Sequence, residues 1–195
     1  MIIKIDVDGV IRNMFDSMCD VYNKEFNESL TVNDIFNYDV DIVFHRIKDE
    51  LNISAAEFFF EIHAKELFLD SQPYEGAKDS IEKLMKNGHK VVIVTWQYTL
   101  ENKLYTLMFL EKNKIPYDDI CFTKDKWMIK SDWMVDDNPE FIMDKRDESK
   151  KILIRMPYNK GIKFEGIRAK NLVNAIDSIL KTEETKKIFC FSKKM

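Results

Sequence analysis

The chain has 195 residues and a formal net charge of −4. A chain of this length can bury one full core and a small accessory layer, so we expect one domain that carries an insertion. The slight negative charge argues against a protein that coats a nucleic-acid polymer, because such binding depends on basic patches, although free mononucleotides remain eligible partners. No segment approaches the roughly 20 apolar residues that a membrane-spanning helix needs, so we expect no membrane partner.

The first predicted element is an apolar strand that ends in two acidic side chains. Asp6 and Asp8 follow Ile2-Ile3-Lys4-Ile5 and are themselves followed by Gly9. Alternate side chains project to the same side of a strand, so both carboxylates are expected at its carboxyl end, where open α/β sheets place their ligands. Two carboxylates this close repel each other unless a cation or a shared proton lies between them. A solvated acidic pair at a strand-to-turn junction is the alternative interpretation.

Residues 14–72 predict a helical insertion. Met14, Met18 and Tyr22 fall on one helix face, and this spacing is typical of an amphipathic helix. Ser54 precedes a second helical stretch with the spacing of an N-terminal capping box. We therefore expect this segment to contribute helices and no strand to the core sheet.

A regular alternation of helices and strands follows the insertion. Helices are predicted near residues 77–88, from 100 to the segment before Pro116, from Pro139, and around 172–180. In the second of these helices, the first three leucines and Met108 are the apolar residues expected to face the core. Strands are predicted at 90–95, 119–122, 132–136 and 151–155. Such alternation predicts a parallel sheet that is covered on both faces. We expect an α/β core from residues 1–13 and 73–195, with 14–72 as a helical cap. For the final segment, 182–195, two alternatives stay open: a docked tail or an added strand.

Three of these strands are each followed by polar residues of a kind that one site at the sheet edge would need. Thr95-Trp96-Gln97 ends the strand at 90–95, Lys124 and Lys126 follow the strand at 119–122, and Asp136-Asp137 ends the strand at 132–136. Together with the Asp6-Val7-Asp8-Gly9-Val10 motif, this order resembles the haloacid dehalogenase (HAD) superfamily of aspartyl-phosphate phosphatases. The resemblance implies a HAD-like Rossmannoid three-layer core with a small helical cap inserted after the first strand.

Within that superfamily the chain is similar to the 5′(3′)-deoxyribonucleotidases. The similarity lies in residues 6–10, in Pro73-Tyr74-Glu75-Gly76-Ala77, and in the spacing from Lys126 to Asp136-Asp137. It covers residues 2–14 and 73–140, and it covers the insertion only in position and character. Two departures fall near the expected pocket: Met14, followed by Phe15, stands where an aromatic residue is usual, and the bulky Trp96 replaces a small residue.

The resemblance implies a chemical role for each polar residue. Asp6 would be the nucleophile that forms an aspartyl-phosphate, and Asp8 would be the general acid and base. Lys126 would neutralise charge on the transferring phosphoryl group, and Lys124 and Lys130 compete for that role. The Thr95 hydroxyl, with the neighbouring backbone at Trp96, would bind phosphoryl oxygens.

The oxygen ligands on offer suit Mg²⁺ as the cofactor. The expected ligands are the Asp6 carboxylate, the backbone carbonyl of Asp8 and a carboxylate from Asp136-Asp137. By resemblance, Asp137 is the direct ligand of that pair and Asp136 supports it.

These features predict a Mg²⁺-dependent phosphomonoesterase that hydrolyses nucleoside monophosphates, with 5′(3′)-deoxyribonucleotides as the first expectation. Met14 and Phe15 would line the substrate pocket. A HAD phosphatase or phosphotransferase acting on a sugar phosphate or a nucleic-acid end is the alternative, and a non-catalytic binding module is a second. We expect a small phosphomonoester as the partner and no nucleic-acid polymer, while a homodimer remains an option for the assembly.

The cellular location is expected to be cytoplasmic. Cys19, Cys121 and Cys190 lie at unrelated spacings, which indicates reduced thiols. The N-terminus enters a strand directly, without a basic and apolar leader segment.

Overall fold

The computed structural model describes the backbone of residues 1–192 and the side chains of residues 1–183 and 185. Its strands are β1 (Ile2–Ile5), β2 (Lys90–Thr95), β3 (Asp119–Phe122), β4 (Trp133–Asp136), β5 (Lys150–Ile154) and β6 (Ile167–Ala169). They form one six-stranded sheet in the order β3-β2-β1-β4-β5-β6, and all neighbouring pairs are parallel. The predicted α/β fold with a parallel sheet is confirmed, and the edge strand β6 was not predicted.

The central position of β1 brings the polar strand ends together. Ile5 is in register with Ile93 of β2 and with Val135 of β4. The carboxyl ends of the three strands therefore lie side by side, and the backbone N–H of Asp6 donates to the Val135 carbonyl at 3.0 Å. Polar residues that follow these strands consequently meet at one edge of the sheet, where ligands bind in open α/β sheets.

Apart from the short turns within residues 14–72, the described helices are α1 (Met14–Phe26), α2 (Ala77–Lys86), α3 (Leu100–Lys112), α4 (Pro139–Ile142) and α5 (Leu172–Ser192), with short 3₁₀ turns at Lys126–Met128 and Pro157–Asn159. After α2, Gly88 has a φ of 78°, the left-handed conformation that ends helices and favours glycine. Because α5 continues to Ser192, the alternative of an added strand in 182–195 is wrong for the described residues, and residues 193–195 lie outside them.

Helix α3 is present as predicted, but the apolar residues that were expected to be buried are exposed. Leu100 is 82% exposed, and the apolar side chains that follow it on this face are also exposed. Asn102, Thr106, Phe109 and Leu110 are buried instead. The buried Thr106 has a polar partner, because its hydroxyl accepts a hydrogen bond from the fully buried Arg12 at 3.1 Å.

The segment 14–72 is helical, as predicted. After α1 it contains a 3₁₀ turn at Val32–Asp34, α-helical turns at Val40–Val43 and Ala55–Glu57, and π-helical turns at Ile47–Leu51, Phe58–Ile62 and Glu66–Asp70. Ser54 caps one of these turns by accepting from the Glu57 backbone N–H at 3.0 Å. Much of the aromatic content packs internally, since the Tyr22 and Phe44 rings lie 5.0 Å apart.

The two chain segments at the ends of the helical stretch 14–72 lie side by side. The Asn13 N–H donates to the Gln72 carbonyl at 2.9 Å, and the Tyr74 N–H donates to the Ile11 carbonyl at 2.8 Å. Arg12 and Pro73 form a β-bridge between the same segments. The division into a core of 1–13 and 73–195 and a cap of 14–72 stays a prediction.

Cys19 is a buried free thiol, Cys121 is a half-buried one, and Cys190 lies outside the residues whose side chains are described. Among the described helices, none has the length and apolar character to cross a membrane.

Candidate active site

Three carboxylates and one lysine form a buried cluster at the carboxyl ends of β1 and β4. One oxygen each from Asp6, Asp136 and Asp137 lie within 4.8 Å of one another, and all three side chains are buried. The Lys126 ammonium lies 2.8 Å from Asp6 Oδ1 and 2.8 Å from Asp136 Oδ2. The cluster therefore carries more acidic groups than cationic ones.

The electrostatics of the cluster show that its charges are incompletely balanced. Burial raises the pKa of Asp6 to about 7, Lys126 opposes the rise, and Asp136 and Asp8 add to it. Burial, followed by repulsion from Asp136 and Asp6, also holds the pKa of Asp137 well above its ordinary value. Burial disfavours the charged form of Lys126, but the carboxylates of Asp136 and Asp6 outweigh it and raise the lysine pKa. A further cation would offset the repulsion that remains, and the oxygen donors suit a hard ion such as Mg²⁺.

Gly9 allows the loop that follows β1 to approach this cluster. Its φ of 72° lies in the left-handed region, and a β-carbon at this position would lie 2.2 Å from Asp137 Oδ2. Any side chain would therefore collide with the carboxylate of Asp137, so the glycine that follows Asp8 is required by space as well as by backbone conformation.

Residues that follow β4 and β5 fix the acidic pair. The Asn138 N–H donates to Asp136 Oδ1 at 2.9 Å, and the Tyr158 hydroxyl donates to Asp137 Oδ2. Asn159 Nδ2 donates to the Asp137 carbonyl at 2.9 Å. The first two bonds limit the rotation of the carboxyl groups of Asp136 and Asp137, and the third fixes the backbone of Asp137.

Asp8 lies beside the cluster with both of its oxygens engaged. Arg12 Nε donates to Oδ1 at 2.7 Å, and Gln97 Nε2 donates to Oδ2 at 2.8 Å. Gln97 also lies 3.3 Å from the hydroxyl of Thr95, the last residue of β2. Asp8 and Thr95 are thus joined through one amide group.

Lys126 is held by a second buried lysine. Lys4 Nζ donates to the Lys126 carbonyl at 3.0 Å and to the Ile129 carbonyl at 2.9 Å. It also forms a buried ion pair with Asp147. Lys4 thereby fixes the backbone turn that presents the Lys126 side chain to Asp6.

The three lysines that compete for the charge-neutralising role occupy different places. Lys126 contacts Asp6 directly. Lys124 lies over the ring of Trp96, 5.4 Å from its centre, and Lys130 is paired with Glu148 at the surface at 3.9 Å. Of the three, only Lys126 is in contact with the predicted nucleophile.

A cavity of about 220 Å³ opens next to the cluster. The predicted site residues Asp6, Asp8, Thr95, Lys126 and Asp137 line its polar end. Aromatic and other apolar side chains, some from residues 14–72 and some from later in the chain, form the rest, including Met14, Phe15, Tyr38, Phe60, Phe68, Trp96, Tyr98 and Phe141.

The predicted pocket residues take two different positions in this cavity. Met14 and Phe15 are buried in its wall. Trp96 is 42% exposed, and its ring contacts Tyr98 at 5.8 Å between centroids. Its side chain thus lies at the rim of the cavity, so contact with a phosphoryl oxygen would fall to its backbone N–H.

Six polar residues around this edge had no role in the sequence analysis: Lys4, Arg12, Gln97, Asn138, Tyr158 and Asn159. Gln97 and Asn138 directly follow the predicted motifs at the ends of β2 and β4, so their position was a usable signal. Arg12 and Tyr158 gave no such signal, because their contacts come from packing between distant segments.

Comparison with known proteins gives consistent matches. The sequence profile of a family described as 5′ nucleotidase, deoxy (pyrimidine), cytosolic type C matches residues 1–185. A Chlorobaculum tepidum protein, provisionally named a 5′(3′)-deoxyribonucleotidase, is 21% identical over 157 residues, which are 72% of this chain and 71% of that protein. YqfW of Bacillus subtilis, provisionally named a nucleotidase, is 29% identical over 118 residues, which are 60% of this chain and 56% of that protein.

A solved structure shares the fold at much lower sequence identity. L-2-haloacid dehalogenase from Xanthobacter autotrophicus has a TM-score of 0.63 to this chain and 9% identity, with 92% of this chain and 98% of that chain covered. At this identity the likeness concerns the arrangement of helices and strands alone.

Proposed function

Because the chain belongs to the cytosolic type C 5′ nucleotidase family of HAD-like phosphatases, we propose that it hydrolyses nucleoside monophosphates, 5′(3′)-deoxyribonucleotides first, through an aspartyl-phosphate on Asp6. The observation that carries the proposal is the contact of Asp6 with Lys126 at the polar end of a cavity whose other walls are apolar and mostly aromatic. The polar end offers groups for a phosphoryl group, and the aromatic walls offer a slot for a base.

The proposed reaction has two steps. In the first, a carboxylate oxygen of Asp6 attacks phosphorus, the bond from phosphorus to the ester oxygen breaks, and Asp8 gives the leaving oxygen a proton. In the second, Asp8 takes a proton from water, which attacks the same phosphorus and releases phosphate from Asp6. Lys126 supports both steps, because its charge lies beside Asp6 and can neutralise negative charge on the phosphoryl oxygens.

A magnesium ion fits the acidic cluster as the proposed cofactor. When bound, Mg²⁺ supplies positive charge that offsets repulsion between the carboxylates and a phosphoryl group. Asp6, Asp137 and the backbone carbonyl of Asp8 would hold it. Asp136 would support them from its bonds to Lys126 and Asn138.

The shape and chemistry of the cavity support a nucleoside as the leaving group. Phe15 and Tyr38 come from the cap segment, and Trp96 and Phe141 come from the core. Flat aromatic surfaces stack on a nucleobase with little dependence on its identity, whereas a sugar phosphate would leave most of this apolar wall without a partner. We also propose a cytoplasmic location, because the family to which the chain belongs is of a cytosolic type.

A substrate panel tests the proposal. Phosphate release would be measured with Mg²⁺ for deoxynucleoside and ribonucleoside monophosphates, sugar phosphates, a 5′-phosphorylated oligonucleotide and p-nitrophenyl phosphate. The expected result is the highest kcat/KM on a deoxynucleoside monophosphate, with no turnover by Asp6→Asn. The highest kcat/KM on a sugar phosphate or the oligonucleotide would overturn the substrate assignment, and turnover of none of the substrates would overturn the proposed function.

A further inference from the structure

Arg12 is a fully buried arginine at the junction of three elements. Its Nε donates to Asp8 Oδ1 at 2.7 Å. One terminal nitrogen donates to the Phe68 carbonyl, at the end of the cap segment, at 2.5 Å. The other donates to the Thr106 hydroxyl of α3 at 3.1 Å. A single planar group thus joins the loop after β1, the cap and α3.

The surroundings leave the guanidinium little freedom to rotate. Its central carbon lies 4.9 Å from the Phe68 ring centre and 5.0 Å from that of Phe109. The Arg12 backbone is fixed too, since its carbonyl accepts from the Gly9 N–H at 3.0 Å and the residue bridges to Pro73. Arginine suits such a place, because its donors form a rigid planar fork.

Stability alone does not explain a charge at this position. Removing an arginine and its carboxylate partner from water is costly, and well-packed apolar residues often replace buried ion pairs without loss of stability. The rings of Phe68 and Phe109 lie against the Arg12 side chain, so a methionine in place of Arg12 would have an apolar surface to pack on. The distinctive property of Arg12 is that its carboxylate partner, Asp8, lines the cavity.

We propose that Arg12 is a positioning residue that fixes the Asp8 carboxylate for proton transfer to the leaving group and links it to the end of the cap. This inference rests on the proposed function. Oδ1 of Asp8 is held by a charged donor, whereas Oδ2 is held by the neutral amide of Gln97. Charge-assisted hydrogen bonds are the stronger ones. Oδ2 is therefore the oxygen that exchanges its partner for a substrate oxygen, while Arg12 keeps Oδ1 in place.

The test compares leaving groups that differ in their need for a proton. A nucleoside alkoxide is a poor leaving group and depends on a general acid, whereas p-nitrophenolate leaves without one. In Arg12→Met, kcat/KM for a deoxynucleoside monophosphate should fall roughly tenfold more than kcat/KM for p-nitrophenyl phosphate. This is smaller than the about 10²–10⁴-fold that general acid catalysis contributes in full, because Asp8 is still present. In an Asp8→Asn background, Arg12→Met should leave the ratio of the two kcat/KM values unchanged.

Thr106 offers a milder pair of variants in case Arg12→Met fails to fold. Thr106→Val removes the hydroxyl that accepts from Arg12 and keeps the side-chain shape, whereas Thr106→Ser retains the hydroxyl. The valine variant should change the ratio in the same direction as Arg12→Met, and the serine variant should behave as the wild type. A folded Thr106→Val protein with an unchanged ratio would overturn the inference.

Two further outcomes also decide the question. A parallel loss on both substrates in Arg12→Met would show a merely structural role and overturn the inference. The Asp8→Asn protein alone tests the proposed function: if it loses activity equally on both substrates, the acid role of Asp8 is wrong, and the inference about Arg12 falls with it. Because that result does not depend on any Arg12 variant, the two failures are distinguishable.

Discussion

Asp6→Asn is expected to raise the free energy of unfolding of the metal-free protein above pH 7 while it removes hydrolysis. The wild-type pKa is raised from 3.8 to about 7, chiefly by burial. At roughly 1.4 kcal/mol per pH unit, this corresponds to a penalty of roughly 4 kcal/mol for the ionised group in the folded protein. The asparagine amide must also be buried, so we expect a net gain of roughly 2 kcal/mol, or ~4–8 °C in Tm for a chain of this size.

The pH dependence gives this prediction its sign. Because the pKa of Asp6 is higher in the folded protein, the folded protein binds the proton more tightly between about pH 4 and pH 7, and the wild type loses stability as pH rises through that window. The gain from Asp6→Asn should therefore be largest at pH 8 and should turn into a loss of roughly 2 kcal/mol by about pH 4, because the cost of burying the amide does not change with pH whereas the penalty for the ionised carboxylate disappears.

Thermal unfolding in EDTA at pH 8 and at the lowest pH at which both proteins remain folded measures the effect. Glu111→Gln, which neutralises an exposed carboxylate on α3, is the matched control and should show no such pH dependence. Addition of Mg²⁺ at pH 8 should raise the Tm of the wild type more than that of Asp6→Asn, because an ion that binds the folded state stabilises it. An equal difference between the two proteins at both pH values, or a loss of stability at pH 8, would refute the account of the buried charge.

The other predictions concern the metal, the lysine and the pocket. EDTA should abolish hydrolysis and Mg²⁺ should restore it, and Asp137→Asn should require at least about tenfold more Mg²⁺ for half-activation; full activity in EDTA would contradict the metal assignment. Lys126→Met should lower kcat by ~10²–10³ with the circular dichroism spectrum retained, and a loss below tenfold would contradict its proposed role. Replacing Met14 and Phe15 with alanine should shift the kcat/KM ratio of nucleotide to aryl phosphate by ~1–3 kcal/mol, whereas a parallel loss would mean that they only pack.

The fold was predictable where the local pattern and the final packing agree. The predicted strands at 90–95 and 119–122 have the observed bounds of β2 and β3. Strand β6 was missed because Ile167–Ala169 is three residues long and lies at the edge of the sheet, where alternation is too short to detect. Helix α3 was predicted with an apolar set that proved exposed, because the face that packs inward holds Phe109 and Leu110 together with Thr106, which bonds to Arg12.

The residues of the candidate site that belong to sequence motifs were predictable. Asp6, Asp136 and Asp137 are brought together as the order of the strands implied. Arg12 was not identified, because its partners Phe68 and Thr106 lie 56 and 94 positions away in the chain. An isolated arginine in a sequence is most often solvated. Contacts of that kind become visible only when the cap and α3 are in place.

Rapid acid quenching during turnover tests the central claim most directly. The wild-type protein would be mixed with Mg²⁺ and a deoxynucleoside monophosphate labelled in its phosphoryl group, quenched within one turnover, and digested for peptide mass spectrometry. The account predicts a phosphoryl group on the peptide that contains Asp6, and none in Asp6→Asn. A phosphoryl group on another residue, or turnover by Asp6→Asn within tenfold of the wild type, would contradict it.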